Sequence, residues 1–177
     1  MSYQFYNAHP KGLLVGDCVK RAITKATGMD YMEVQRELNR HKKVTGAKEF
    51  NSDYNPHHYV ETVLHGKKLS FPAVKGQPRM NGQRFCEAYK TGRYILNMAG
   101  HWSCCVDGVI YDTWNPSEKC VYTAYKVEEY IPHYYTVVGS NICVYDKDKS
   151  YCYSATSLDA RKGFIEALKM MGFEQKK

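Results

Sequence analysis

Cys18 stands directly behind Gly-Asp in VGDCVKRAIT (residues 15–24), at the mouth of an amphipathic segment. A thiol there is easily ionised. The first turn of a helix has backbone N–H groups without intrahelical partners, and the helix dipole adds partial positive charge, so a thiolate is favoured. A thiolate becomes a working nucleophile beside a base, and the base needs a group that fixes its tautomer and balances its charge. The run HWSCCVDGVIYDTWN (residues 101–115) offers both, with His101 as base and Asp112 or Asn115 as orienter. The chemistry these residue types support is acyl transfer. Cys18 attacks an amide or ester carbonyl, His101 moves the proton, and water or an amine resolves the thioester.

Two elements must position these groups. Val19, Ala22, Ile23 and Ala26 recur at i, i+3, i+4 and i+7, which predicts a helix over 18–27 with Asp17 as N-cap and Gly28 as its stop. Cys18 lies outside that apolar stripe and is therefore not required by the core. Asp107-Gly108 between β-prone runs predicts a hairpin with a two-residue turn. In that register Cys105 faces Ile110, Ser103 faces Asp112 and His101 faces Trp114. Side chains alternate across a sheet, so Asp112 shares a face with His101 and Asn115 does not. A three-residue loop with a bulge would slip the pairing and give the role to Asn115.

The remaining pattern predicts an α+β fold, helices first and an antiparallel sheet afterwards. Asp30 opens a second helix with Tyr31, Val34 and Leu38 inward, Asn55-Pro56 a third running toward Gly66, and Asn81 a short fourth. Strands follow over 93–100, in YYTVVGS, and in ICVYDKDKSYCYS with a turn at Asp146–Lys149. A last helix over 157–171 carries Leu158, Phe164, Ile165, Leu168 and Met171. With no repeat or linker, the 177 residues read as a single domain spanning 1–177.

Composition narrows the function. A hydrophobic content of 44% belongs to a folded chain, not a disordered tail. The net charge of +7 is spread among acidic residues and no recognition motif accompanies it, so nucleic acid is not an expected partner. The odd count of seven cysteines and the absence of a secretory h-region predict reduced thiols in a cytoplasmic protein. No Cys-x-x-Cys pair occurs, and His57-His58 lacks the i, i+4 spacing of a helical site, so neither a metal nor another cofactor is expected. No stretch reaches the roughly 18 apolar residues of a membrane span. Nothing in the pattern indicates an oligomeric state.

The Cys-led helix and the late GHW…VDGVIYDTWN hairpin resemble the papain-like cysteine peptidase superfamily, above all small phage and bacterial proteins with GDCVxRAI and GHxxxxxDGxxYDTW. The order Cys–His–Asp is also similar to that of bacteriocin-leader peptidases and the transglutaminase-like branch. The likeness covers about 25 residues around Cys18 and His101, and residues 41–92 carry none of it. It implies N-terminal helices packed on a C-terminal sheet, a Cys18–His101–Asp112 triad without a cofactor, and a peptide or protein substrate. If the chain is phage-encoded, the compartment is the host cytoplasm. The Gly-Ser-Cys-Trp context of papain is missing, and Gly12 stands where papain-type enzymes place an oxyanion glutamine. Asn7, or after it Gln4, is the side chain left for that role, alongside the Cys18 N–H. The competing class is a non-enzymatic binding protein, for a host target or nucleic acid, on a degenerate peptidase scaffold.

Overall fold

Apolar residues at helical spacing in the first half build the helices that carry the nucleophile. The computed structural model describes residues 3–46, 54–130, 133–146 and 149–176. Helix α1 (Cys18–Thr27) ends at Gly28, whose φ of 78° needs no Cβ and whose N–H bonds back to Thr24 O. Its expected stripe of Val19, Ala22, Ile23 and Ala26 is buried. Helix α2 (Tyr31–Thr45) starts at Asp30, whose carboxylate accepts from Met32 N and Glu33 N. Helix α3 (Tyr54–Thr62) begins before Asn55-Pro56 and stops short of Val63, which is exposed. Helix α4 (Gly82–Ala88) is capped by Asn81 Oδ1 on Arg84 N at 2.9 Å.

The first sheet contains β1 (Tyr3–Phe5), β2 (Lys67–Ser70), β3 (Arg93–Met98), β4 (His101–Val106), β5 (Val109–Asp112) and β6 (Val121–Val127) in the order β1-β5-β4-β3-β6-β2. The expectation of a purely antiparallel sheet needs correcting at its edge, because β1 runs parallel to β5. Strands of three and four residues are too short to display the alternation that marked the central ones. Cys104 and Cys105 point to opposite faces. Cys104 joins Val19, Ile23, Ala26, Val34 and Tyr59 of α1–α3, while Cys105 joins Phe85 and Cys86 of α4 with Leu96 and Ile110. Cys105 is fully buried with its sulfur 3.4 Å from that of Cys86. Truncating it to alanine is expected to cost on the order of 1 kcal/mol in urea unfolding while leaving the reactivity of Cys18 toward iodoacetamide unchanged.

The chain divides into two compact units, Met1–Tyr130 and Ile131–Lys177, where the sequence reading has one domain. The second has its own sheet and core, and no change of composition marks the junction. β7 (His133–Val138), β8 (Asn141–Asp146), β9 (Lys149–Ser154) and β10 (Glu174–Lys176) form a sheet in the order β10-β7-β8-β9, with helix α5 (Leu158–Met170) preceding β10. Tyr135, Ile142, Val144 and Leu168 form its centre, with Phe164 and Ile165 packed against them. Leu158 and Met171, expected on the inner stripe of α5, are exposed. The turn expected at Asp146–Lys149 falls between β8 and β9, and residues 147–148 lie outside the described residues.

The expectation that all thiols are reduced is corrected here. Cys143 and Cys152 face each other across β8 and β9 with Cα atoms 4.1 Å apart and are joined by a disulfide. Strand register creates that pair, and a parity count of cysteines does not register it. Among the described residues no helix is long and apolar enough to cross a membrane.

Candidate active site

The hairpin turn decides the site. Asp107 and Gly108 both have positive φ, 48° and 75°, as a type I′ turn demands. Val106 pairs with Val109, Cys105 with Ile110 and Cys104 with Tyr111, the two-residue register. Asp112 therefore comes to His101, and its Oδ2 lies 2.7 Å from His101 Nε2. Both side chains are largely shielded from solvent. The His101 imidazole is also hydrogen-bonded to the Cys18 thiol, which closes a Cys18–His101–Asp112 chain across α1, β4 and β5. Trp114 packs on His101 with ring centroids 5.1 Å apart.

Asp112 is held from several sides. Its Oδ1 accepts from Thr113 N at 2.7 Å and from Arg21 Nη2 at 3.4 Å, and its backbone oxygen accepts from Tyr6 N at 2.8 Å. Asn115, the alternative orienter, is exposed, and its Oδ1 accepts from Ser117 N at 3.1 Å as a turn residue does. The site brings together Cys18, His101 and Asp112 and leaves Asn115 outside that hydrogen-bonded chain. Comparison with known proteins finds no matching family model, no similar curated protein and no similar solved structure. The chemistry of the site must therefore be read from its own atoms.

The two side chains considered for an oxyanion role are placed differently from that expectation. Asn7 staples its own loop, with Nδ2 donating to Leu13 O at 3.2 Å and Oδ1 accepting from His9 N at 3.0 Å. Gln4 is an exposed residue of β1 paired with Tyr111. The polar groups directed at the Cys18 thiol are instead backbone N–H groups, those of Trp102 and Val19.

Asp17 departs from its expected role. It occupies the N-cap position of α1, yet its side chain makes no capping hydrogen bond. Its carboxylate accepts from Tyr31 Oη at 2.7 Å and forms a buried ion pair with Arg21 Nη1. Arg21 is the buried member of this network that the sequence reading missed. Its only signal there was the Asp17–Arg21 spacing of i, i+4, which places both side chains on one side of the helix.

The electrostatics follow from these contacts. Burial pushes the Cys18 thiol up, but the His101 hydrogen bond, the Trp102 N–H, the imidazolium charge and the Val19 N–H together bring it below its ordinary value. Burial works against the His101 cation, and the hydrogen bonds and charges of Asp112 and Cys18 outweigh it, so its pKa rises to about 9. Burial likewise opposes the Asp112 carboxylate, which His101 holds below the usual range. Cys104 and Cys105 move the opposite way, Cys104 through burial and Cys105 through its Cys86 hydrogen bond and burial.

A pH profile of kcat/KM is expected to carry these directions. Its acid limb, set by formation of the Cys18 thiolate, lies below the pH at which an ordinary thiol ionises. Its alkaline limb falls near pH 9, where His101 loses the proton it must donate. An alkaline limb near the 6.5 of free imidazole would contradict the contact with Asp112.

Proposed function

We propose that the protein is a cysteine hydrolase of papain-like type that cleaves peptide bonds through a thioester on Cys18. The observation that carries this reading is the continuous hydrogen-bonded chain from Cys18 through His101 to Asp112, with a thiol that His101 pulls toward thiolate at its end. The N-terminal helices packed on one face of the first sheet support the papain-like part.

In the proposed reaction the Cys18 sulfur attacks the carbonyl carbon and the carbonyl oxygen takes the negative charge. Backbone N–H groups around the thiol are the donors available to that oxygen. His101 then protonates the leaving amine as the C–N bond breaks, and a thioester remains. Water, deprotonated by His101, attacks the thioester, releases the acid and returns the thiol. Asp112 keeps one ring nitrogen engaged throughout and balances the imidazolium. Leu13, Leu14 and Val15, just ahead of Cys18, and Trp114, against His101, are exposed and offer apolar contacts to a peptide on either side of the scissile bond.

The test is an activity-based probe. A peptidyl acyloxymethyl ketone series is incubated with the full chain, and adducts are located by mass spectrometry. A covalent adduct on Cys18 that disappears in His101→Ala is the expected result. Adducts spread over several cysteines, or a Cys18 adduct that forms equally fast without His101, would overturn the reading.

A further inference from the structure

Aspartate at an N-cap normally turns its carboxylate back onto the N–H groups of the second and third helical residues. In α1 those residues are Val19 and Lys20, and Asp17 does not do so. Its two carboxylate oxygens go instead to Arg21 Nη1 and to Tyr31 Oη, inside the protein. Arg21 is buried, 6% exposed, and its guanidinium reaches two further points, Val15 O at 3.2 Å from Nη1 and Asp112 Oδ1 at 3.4 Å from Nη2, which complete a fork that spans the loop, the helix and β5. Read in order, Asp17, Arg21, Asp112, His101 and Cys18 alternate in the sign of the charge they carry during thiolate attack.

We propose that Arg21 is a positioning residue that draws the Asp17 carboxylate off the N-terminus of α1, keeping that end of the helix for Cys18, and anchors the helix to Asp112. The inference rests on the acyl-transfer reading of Cys18, His101 and Asp112. Its physical basis is twofold. A carboxylate capping α1 would occupy the N–H groups that favour the thiolate and would set a like charge within one turn of it. Nucleophile and orienter also come from distant parts of the chain, and Arg21 bonds to groups on both sides of that gap. A role in stability alone explains less, because buried ion pairs are often replaceable by apolar side chains at little cost.

The experiment measures the pH dependence of Cys18 alkylation, peptide-mapped on the full chain, in the wild type, Arg21→Met, the pair Arg21→Met with Asp17→Ala, and Arg21→Lys. The charged group acting on Cys18 in this test is His101 on β4, backed in turn by Asp112 on β5, Arg21 on α1 and Asp17 at its N-cap. In Arg21→Met the Asp17 carboxylate is freed, and alkylation near neutral pH is expected to slow roughly three- to tenfold as the profile moves to higher pH. The paired variant, lacking both charges, is expected to recover the alkylation profile of the wild type while turnover stays low, because the tie to Asp112 is still missing. An unchanged profile in Arg21→Met, even with a lower Tm, would overturn the proposal and leave Arg21 structural. If Arg21→Met does not fold, Arg21→Lys decides: it keeps a cation for Asp17 but loses the fork, so a wild-type alkylation profile with turnover lowered about tenfold is expected. Wild-type turnover in Arg21→Lys overturns the proposal. Failure of the underlying reading looks different, since the wild type itself would then alkylate at Cys18 like an ordinary thiol.

Discussion

Cys18→Ala is expected to abolish turnover and leave the protein folded. No other side chain on the hydrogen-bonded chain can form a thioester, so the loss is complete and not partial. The fold should survive because Cys18 is only partly buried and lies at the margin of the cluster built by Val19, Ala22, Ile23 and Ala26. Removing one sulfur from such a position costs about 1 kcal/mol or less. Initial rates on the peptide found by probe screening, with thermal unfolding of the same sample, check both halves. Residual turnover at the wild-type rate would make the cysteine a bystander. Collapse of the fold would make it structural.

Asp112→Asn is expected to be nearly as severe, with losses of up to about four orders of magnitude in kcat by analogy with other triads. Shape is conserved, but the charge that balances the imidazolium is gone, and the amide can present a donor where His101 needs an acceptor. Asp112 is buried, 2% exposed, so bulk water does not replace its carboxylate. Its loss also removes one anion from the Arg21 guanidinium. Asn115→Ala, by contrast, is expected to stay within about twofold of the wild type, since that side chain serves a turn to Ser117. Comparable losses in the two variants would mean that the hairpin register does not set the orienter. The alkaline limb of the pH profile should move in Asp112→Asn and stay in place in Asn115→Ala, because the charge of Asp112 is one of the contributions, with its hydrogen bond and those of Cys18, that raise His101 to about 9.

The hairpin was legible because two local rules agreed. Asp107-Gly108 names the turn, and alternation along each strand then assigns every side chain to a face. Helix α1 was legible for the same kind of reason, an apolar stripe closed by Gly28. What sequence reading missed depended on contacts between distant segments. Asp17 has the right residue type for a cap, and only its pairing with Tyr31 and Arg21 shows that it does something else. The oxyanion donors were sought in the Cys18 N–H and a side chain such as Asn7, whereas the N–H groups aimed at the thiol are those of Trp102 and Val19, which carry no residue signature. Strand β1 passed unnoticed because three residues have no period, although it pairs with β5 up to Asp112, and Tyr6 N just after it bonds to Asp112 O. The second unit hid behind an unbroken composition, and its Cys143–Cys152 bond behind a register that only pairing reveals.

The central claim is that Cys18 is the thiol activated by His101, and limiting iodoacetamide at neutral pH tests it most directly. Cys18, Cys86, Cys104, Cys105 and Cys120 are the free thiols among the described residues, and Cys120, like Cys18, is partly accessible, which makes it the internal control. Peptide mapping after brief exposure is expected to find Cys18 carboxamidomethylated well ahead of Cys120, with that lead lost in His101→Ala. Labelling of Cys18 no faster than Cys120, or a lead that persists without His101, would contradict the account.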